Sequence, residues 1–264
     1  MIRNHQTCLG ATSLISPRKI PDQTTQNTAS RELLRLLQQK ASVKPNTQST
    51  DSSLDNQINS LVRTLIASKS TFDPTQCLNG PLYATIHFIG DTPLWEKIAV
   101  GGGRNVKGQR YTLSDETSGE FVNYAEIWGQ NLYLKAVGKF NDKGSVSSSI
   151  GPYAESSNNP FEFLAPLVAN LRGKEQLKPT PYDYEAIVTG ASFVLFQKYS
   201  FDVAIAGKGV VRVLYADPNL RIFLSPTDTN VTTGGGDWES AGLIVVQVRF
   251  DLVYSDWNDR LLGV

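Results

Sequence analysis

Apolar and polar positions divide the chain into a helical front and a long extended remainder. Between Arg31 and Lys40, Leu33, Leu34, Leu36 and Leu37 fall in a helix-compatible pattern, with Ser30 as a candidate N-cap. Residues 41–53, rich in Ser, Thr, Asn and Gln, read as a polar linker. Leu54, Ile58, Leu61, Val62, Leu65 and Ile66 then recur at i, i+4, i+7, i+8, i+11 and i+12, which places one apolar stripe along a helix capped by Asp51, Ser52 or Ser53. Docking of that stripe on the following domain is expected; membrane contact is the alternative.

After Phe72-Asp73-Pro74 the period changes from that of a helix to that of strands. Strands are expected over 82–89, 121–128, 132–140, 184–188, 193–196, 201–206, 209–215, 220–224 and 243–252. Gly129-Gln130-Asn131 turns one pair into a hairpin, and Asp217-Pro218-Asn219 turns another. Residues 101–110 and 232–237 read as Gly-rich loops, 141–160 as a long Ser, Asn and Gly loop, and 172–183 as a Pro-containing connection. Residues 161–171 are a short apolar segment, helical after Pro166. Seven or more strands without intervening helices predict a β-sandwich or an antiparallel barrel.

Composition narrows the function classes. Of 264 residues 19% are charged and the formal net charge is zero, so no long-range field draws in nucleic acid. The two cysteines, Cys8 and Cys77, lie in separate regions and suggest neither a disulfide framework nor a metal site. No cofactor is expected. Residues 1–21 hold no Asp or Glu, with Arg3, Arg18 and Lys19 and several hydroxyl residues, which fits either a transit peptide or a disordered N-terminus.

Catalytic patterns are sparse. His87 is the one histidine after the first helices, in a strand where a structural role is the simpler reading, and no Gly-x-Ser-x-Gly elbow accompanies it. The triple glycines at 101–103 and 234–236 match no phosphate loop. Asp183 and Glu185 share a strand face, as solvated charges at a strand start or as an acid–base pair. A non-enzymatic protein is expected.

Three charges stand out because they sit inside apolar strands: Glu126 between Tyr124 and Trp128, Arg212 between Val210 and Leu214, and Arg221 between Leu220 and Ile222. A buried charge without a partner costs several kcal/mol, so such groups pair or meet a ligand. Asp217, close in sequence, assigns Arg221 a structural role at the turn. Glu126 and Arg212 fit either ion pairs that fix the barrel or the polar end of a ligand cavity.

The stretch Val211-Arg212-Val213-Leu214-Tyr215-Ala216-Asp217-Pro218-Asn219-Leu220-Arg221-Ile222 resembles the C-terminal signature of the plastid lipid-associated proteins, or fibrillins, where a strand runs into Tyr-Leu-Asp-Glu-Asp-Leu-Arg-Ile. Tyr215, Asp217, Leu220, Arg221 and Ile222 match; Ala216 and Pro218 depart. Leu78-Asn79-Gly80-Pro81-Leu82-Tyr83 is similar to the family's Leu-x-Gly-x-Trp opening strand. The resemblance covers roughly 54–252 and is that of a divergent member: Leu224, Ser225 and Pro226 stand where many members carry Arg.

The resemblance implies a mainly β fold, a lipocalin-like antiparallel β-barrel preceded by one or two N-terminal helices. It also implies a plastid location, in the stroma or at the thylakoid or plastoglobule surface, and binding of a lipid, carotenoid or quinone. The expected organisation is a disordered N-terminus or transit peptide over 1–30, a helical segment over 31–71, the barrel over 72–254 and a tail over 255–264. In such a barrel Tyr124, Trp128, Leu132, Leu134, Val213 and Phe223 would enclose the ligand's apolar body, Glu126 and Arg212 would bond its polar end, and Asp217 with Arg221 would fix a corner. Expected partners are a hydrophobic small molecule or lipid and a peripheral membrane or lipid-particle surface. A protein that coats lipid particles or docks on a membrane complex is the alternative.

Overall fold

The structure, a computed structural model, describes residues 23–42, 52–90, 106–145, 177–204, 207–226 and 242–254. The 1–22 segment, the 161–171 segment, both triple-glycine loops and the 255–264 tail lie outside the described residues.

Two helices lead. α1 (Gln23–Ser42) begins well before the expected Ser30 cap, and α2 (Ser52–Ala67) follows the predicted stripe. Ser30 is an interior helix residue whose hydroxyl donates to Asp217 Oδ2 at 2.7 Å. A short strand β1 (Thr71–Phe72) pairs with β6 (Lys178–Pro179). α3 (Pro74–Cys77) is a single turn capped by Asp73, whose carboxylate accepts from the Thr75 N–H.

The remaining strands are β2 (Tyr83–Ile89), β3 (Lys107–Leu113), β4 (Ser118–Trp128), β5 (Leu132–Ser145), β7 (Tyr182–Leu195), β8 (Tyr199–Val203), β9 (Gly207–Ala216), β10 (Leu220–Pro226) and β11 (Gly242–Arg249). Their antiparallel order runs β5-β4-β3-β2-β11-β10-β9-β7, and β7 pairs back onto β5. The result is a closed eight-stranded barrel with β8 as an extra strand on β7. Closure removes the sheet edges that a sandwich would leave.

Several bounds differ from the pattern reading, and β5 runs on to Ser145, into the loop expected over 141–160. β3 falls within and beyond the expected 101–110 loop. The segments 184–188 and 193–196 are parts of one strand, β7, which carries a bulge opposite Val137 and Gly138. The final strand stops at Arg249, and Phe250–Leu252 forms a 3-10 turn.

Cross-strand partners share a face, so the register separates the two sides of the barrel wall. Tyr111 faces Phe121, Phe121 faces Gly138, Phe223 faces Val213, and Val213 faces Tyr182. With Phe72, Cys77, Leu78, Phe140 and Tyr184 these residues form one apolar cluster, which fills the lower end of the barrel and is closed by the α3 turn. Tyr111 and Phe140 pack edge to face at 5.1 Å, as do Phe140 and Tyr184 at 5.6 Å. Two glycines make room for the rings. A Cβ on Gly119 would lie 2.6 Å from the Phe140 ring, and one on Gly138 would lie 2.5 Å from the Phe121 ring.

On the outside, Ile222, Leu224, Ile244, Val246 and Val248 pack against Leu33, Leu37, Ile58, Val62 and Leu65 of the two helices. The α2 stripe is therefore spent on the barrel wall, as the docking expectation had it. A third cluster, also outside, joins Leu82, Ala84, Tyr124 and Tyr133 to Phe250 of the C-terminal turn.

Candidate functional site: the upper barrel lumen

Burial is inverted along the strands that carry the helices. In β11 the outward residues Ile244, Val246 and Val248 are buried, whereas the inward Leu243 and Val245 keep partial exposure. In β2 the outward His87 and Ile89 are buried, whereas Thr85 and Phe88, which face Gln247 and Val245, are partly exposed. The same partial exposure marks Gln109, Asn123, Ala125, Leu134, Ala136, Phe193 and Val211, all on the inner face by register. Side chains bury the lower lumen, whereas the inner face of the upper lumen keeps partial exposure.

A polar belt separates the two halves. Gln109 Nε2 donates to Asn123 Oδ1 at 2.7 Å, and Gln247 Nε2 reaches Thr85 Oγ1 at 3.2 Å and Gln109 Oε1 at 3.4 Å. One register step above, Lys107 faces Ala125, which faces Leu134, which faces Phe193. Lys107 is buried, and burial pulls its ammonium down to about 8. β2 and β3 share only the register pairs Tyr83–Gln109 and Ala84–Gly108, so Lys107 stands where the two strands part.

Below the belt lies Arg221, fully buried on the inner face opposite Gln247. Its guanidinium carbon sits 3.4 Å from the centroid of the Tyr83 ring and 5.5 Å from that of Tyr111, and Nε donates to the Cys77 carbonyl at 2.5 Å. Among the described residues both terminal nitrogens lack hydrogen-bond partners, as do Gln247 Oε1 and the Tyr111 and Tyr184 hydroxyls. Desolvation lowers the guanidinium to about 10, so it keeps its charge at neutral pH.

Asp217 does not pair with Arg221. It caps the β9–β10 turn through Oδ1, accepting from the Asn219 and Leu220 N–H groups, and accepts the Tyr215 hydroxyl and Ser30 on Oδ2. The corner expected of Asp217 and Arg221 together is held by each separately. Asp217 ties the turn to α1, and Arg221 ties β10 to the α3 turn.

Glu126 and Arg212 lie on the outer face, not in the cavity expected of them. Glu126 accepts the Val106 N–H at 2.8 Å and the Tyr124 hydroxyl at 2.7 Å under the C-terminal turn. Burial raises its pKa, against the pull of those two bonds. Arg212 forms a two-pronged pair with Asp183, Nε to Oδ1 at 2.7 Å and Nη2 to Oδ2 at 2.9 Å. Each therefore has protein partners on the outer face, two hydrogen bonds for Glu126 and an ion pair for Arg212.

Tyr124 packs outside with them, 4.9 Å from Tyr133. Val213 and Phe223 are inward but belong to the filled floor. Leu134 lines the open lumen, Leu132 lies one step nearer the rim, and Trp128 is brought to the rim by a bulge after Glu126. His87 is structural: Nδ1 lies 2.7 Å from Lys40 Nζ and Nε2 lies 2.7 Å from Asn59 Oδ1, at the seam between barrel and helices.

The pattern reading missed Lys107, Gln109, Thr85, Asn123 and Gln247. The alternation Lys107, Gln109, Tyr111, Leu113 carried the β3 signal, but the neighbouring glycines masked it. Comparison with family models, with curated proteins and with solved structures finds no match. The fibrillin resemblance thus stands on the residues quoted for it alone.

Proposed function

We propose that this protein binds a hydrophobic small molecule, such as a lipid, carotenoid or quinone, in the upper half of its barrel and performs no chemistry on it. One observation carries the reading: inward side chains of β2, β4, β5, β7 and β11 retain exposure while outward side chains of β2 and β11 are sealed by helices. A barrel whose lumen served only as core would bury the inner face first. The walls are apolar at Phe88, Leu134, Phe193 and Val245, with a few polar groups at one level, which is the usual make-up of a small-molecule pocket.

The plastid setting, in the stroma or at the thylakoid or plastoglobule surface, rests on the resemblance of 211–222. A fluorescent fusion of the full chain that stays outside plastids would remove it. The binding reading is tested by purifying the full chain from a pigment-containing host and extracting it with solvent. A bound lipid, pigment or quinone is expected, and Leu134→Trp, which fills the lumen, should empty it. Failure to recover or to take up any apolar molecule overturns the reading.

A second reading, attachment to a lipid surface, is favoured by the rim. Trp128, Phe196, Tyr199 and Phe201 are 49–57% exposed, and the Trp128 and Phe196 rings meet at 6.2 Å. The double variant Trp128→Ser, Phe201→Ser should lose co-flotation with vesicles and keep lumen binding; unchanged co-flotation excludes the rim.

A further inference from the structure

Thr85, Gln247 and Arg221 stand in one row across the neighbouring strands β2, β11 and β10, all on the inner face. The row is unevenly matched. Gln247 Nε2 donates to Thr85 Oγ1 at 3.2 Å and to Gln109 Oε1 at 3.4 Å, longer bonds than the 2.7 Å between Gln109 and Asn123. Gln247 Oε1 is buried and, among the described residues, accepts from no donor.

Unmatched donors flank that oxygen. Both terminal nitrogens of Arg221 are buried with no hydrogen-bond partner among the described residues. The guanidinium meets the Tyr83 ring and the Cys77 carbonyl, and no carboxylate among the described residues pairs with it. Thr85 Oγ1 accepts from Gln247, which leaves its own hydrogen to give. Buried polar groups are costly when unmatched, so the row is complete only with an atom that both accepts and donates.

That requirement sorts head groups. An ether or ester oxygen accepts from Arg221 or Thr85 but sets a second lone pair against Gln247 Oε1. A carboxylate does the same, and it must also shed its hydration beneath an apolar wall. A hydroxyl accepts from the donors and gives its hydrogen to Gln247 Oε1.

We infer that the lumen takes an apolar alcohol, head-inward, with its hydroxyl between Gln247 and Arg221 in place of the long Gln247–Gln109 bond. Its chain runs between Val245 on one wall and Leu134 and Phe193 on the other, toward the aromatic rim. The inference rests on the lumen-binding reading above and names the ligand class for it.

The test titrates the full chain with three probes of one chain length: oleyl alcohol, oleyl methyl ether and oleate. The alcohol is expected to bind roughly tenfold tighter than the ether, and tighter than oleate. Gln247→Met should erase the advantage over the ether, and retained ether binding certifies that the variant is folded. The wild-type ranking decides by itself should that variant fail to fold. If alcohol and ether bind the wild-type protein equally, if oleate binds tightest, or if a folded Gln247→Met keeps the advantage, the head-group assignment falls while lumen binding stands. If none of the three binds, or if Leu134→Trp leaves their binding unchanged, lumen binding falls and the assignment with it.

Discussion

The two faces of the same strands play opposite parts. On β10 and β11 the outward Ile222, Leu224, Ile244, Val246 and Val248 are sealed under α1 and α2. The inward Val245 and Leu243 keep partial exposure. The fold therefore draws much of its apolar burial from outside the barrel and from the aromatic floor. That frees the upper lumen from holding the protein together, which is the physical condition for a barrel that can be emptied and filled.

The sharpest way to break this contrast is a pair of truncations on neighbouring strands. Ile222→Ala removes a fully buried side chain under the helices, and a loss of about 3–4 kcal/mol is expected in urea unfolding. Val245→Ala, on the inner face, should cost about 1 kcal/mol or less, because part of that side chain already meets solvent. Equal losses at the two sites would show that the lumen is ordinary core.

The seam between helices and wall is also open to acid. His87 is buried against Lys40, Asp55 and Asn59, and burial together with the Lys40 ammonium holds its pKa down, to about 4. A base whose folded pKa lies below its unfolded value is protonated first in the unfolded chain. Its contribution is complete above about pH 6.5 and is lost as pH falls from there toward 4. The expected loss is roughly 2–3 kcal/mol over that window. His87→Gln should flatten the slope in urea unfolding at pH 7, 5.5 and 4.5. An unchanged slope would place the acid sensitivity elsewhere.

The sequence showed some of this directly. The 3.6-residue period of 54–66 identified the docking face of α2 because a helix with one apolar stripe has one side to bury. Asp-Pro-Asn identified the β9–β10 turn through its own local chemistry. Strand alternation separates two faces without saying which faces inward. Glu126 and Arg212 therefore looked like cavity groups, although residues far along the chain, Val106, Asp183 and the C-terminal turn, cover and bond them outside. Asp217 looked like the partner of Arg221 because it is close in sequence, but Cys77 and Tyr83 reach Arg221 first. β3, which brings Lys107 and Gln109 to the lumen, was hidden by the glycines around it.

The smallest expected effects fall on β5, where the contrast narrows to one register step. Gly138 and Ala136 both face inward, on either side of the boundary between floor and open lumen. A Cβ at Gly138 would lie 2.3 Å from the Ile187 carbonyl oxygen and 2.5 Å from the Phe121 ring, and neither can retreat without moving the wall. Gly138→Ala is therefore expected to cost about 2 kcal/mol as overpacking. Ala136→Phe adds far more volume one step higher, yet should change stability by less than about 1 kcal/mol, since the ring enters open lumen. It should also exclude the ligand. Thermal unfolding of both variants, with and without an apolar probe, reads the two effects together. A Phe at position 136 as damaging as an Ala at 138 would mean that the upper lumen has no room to give.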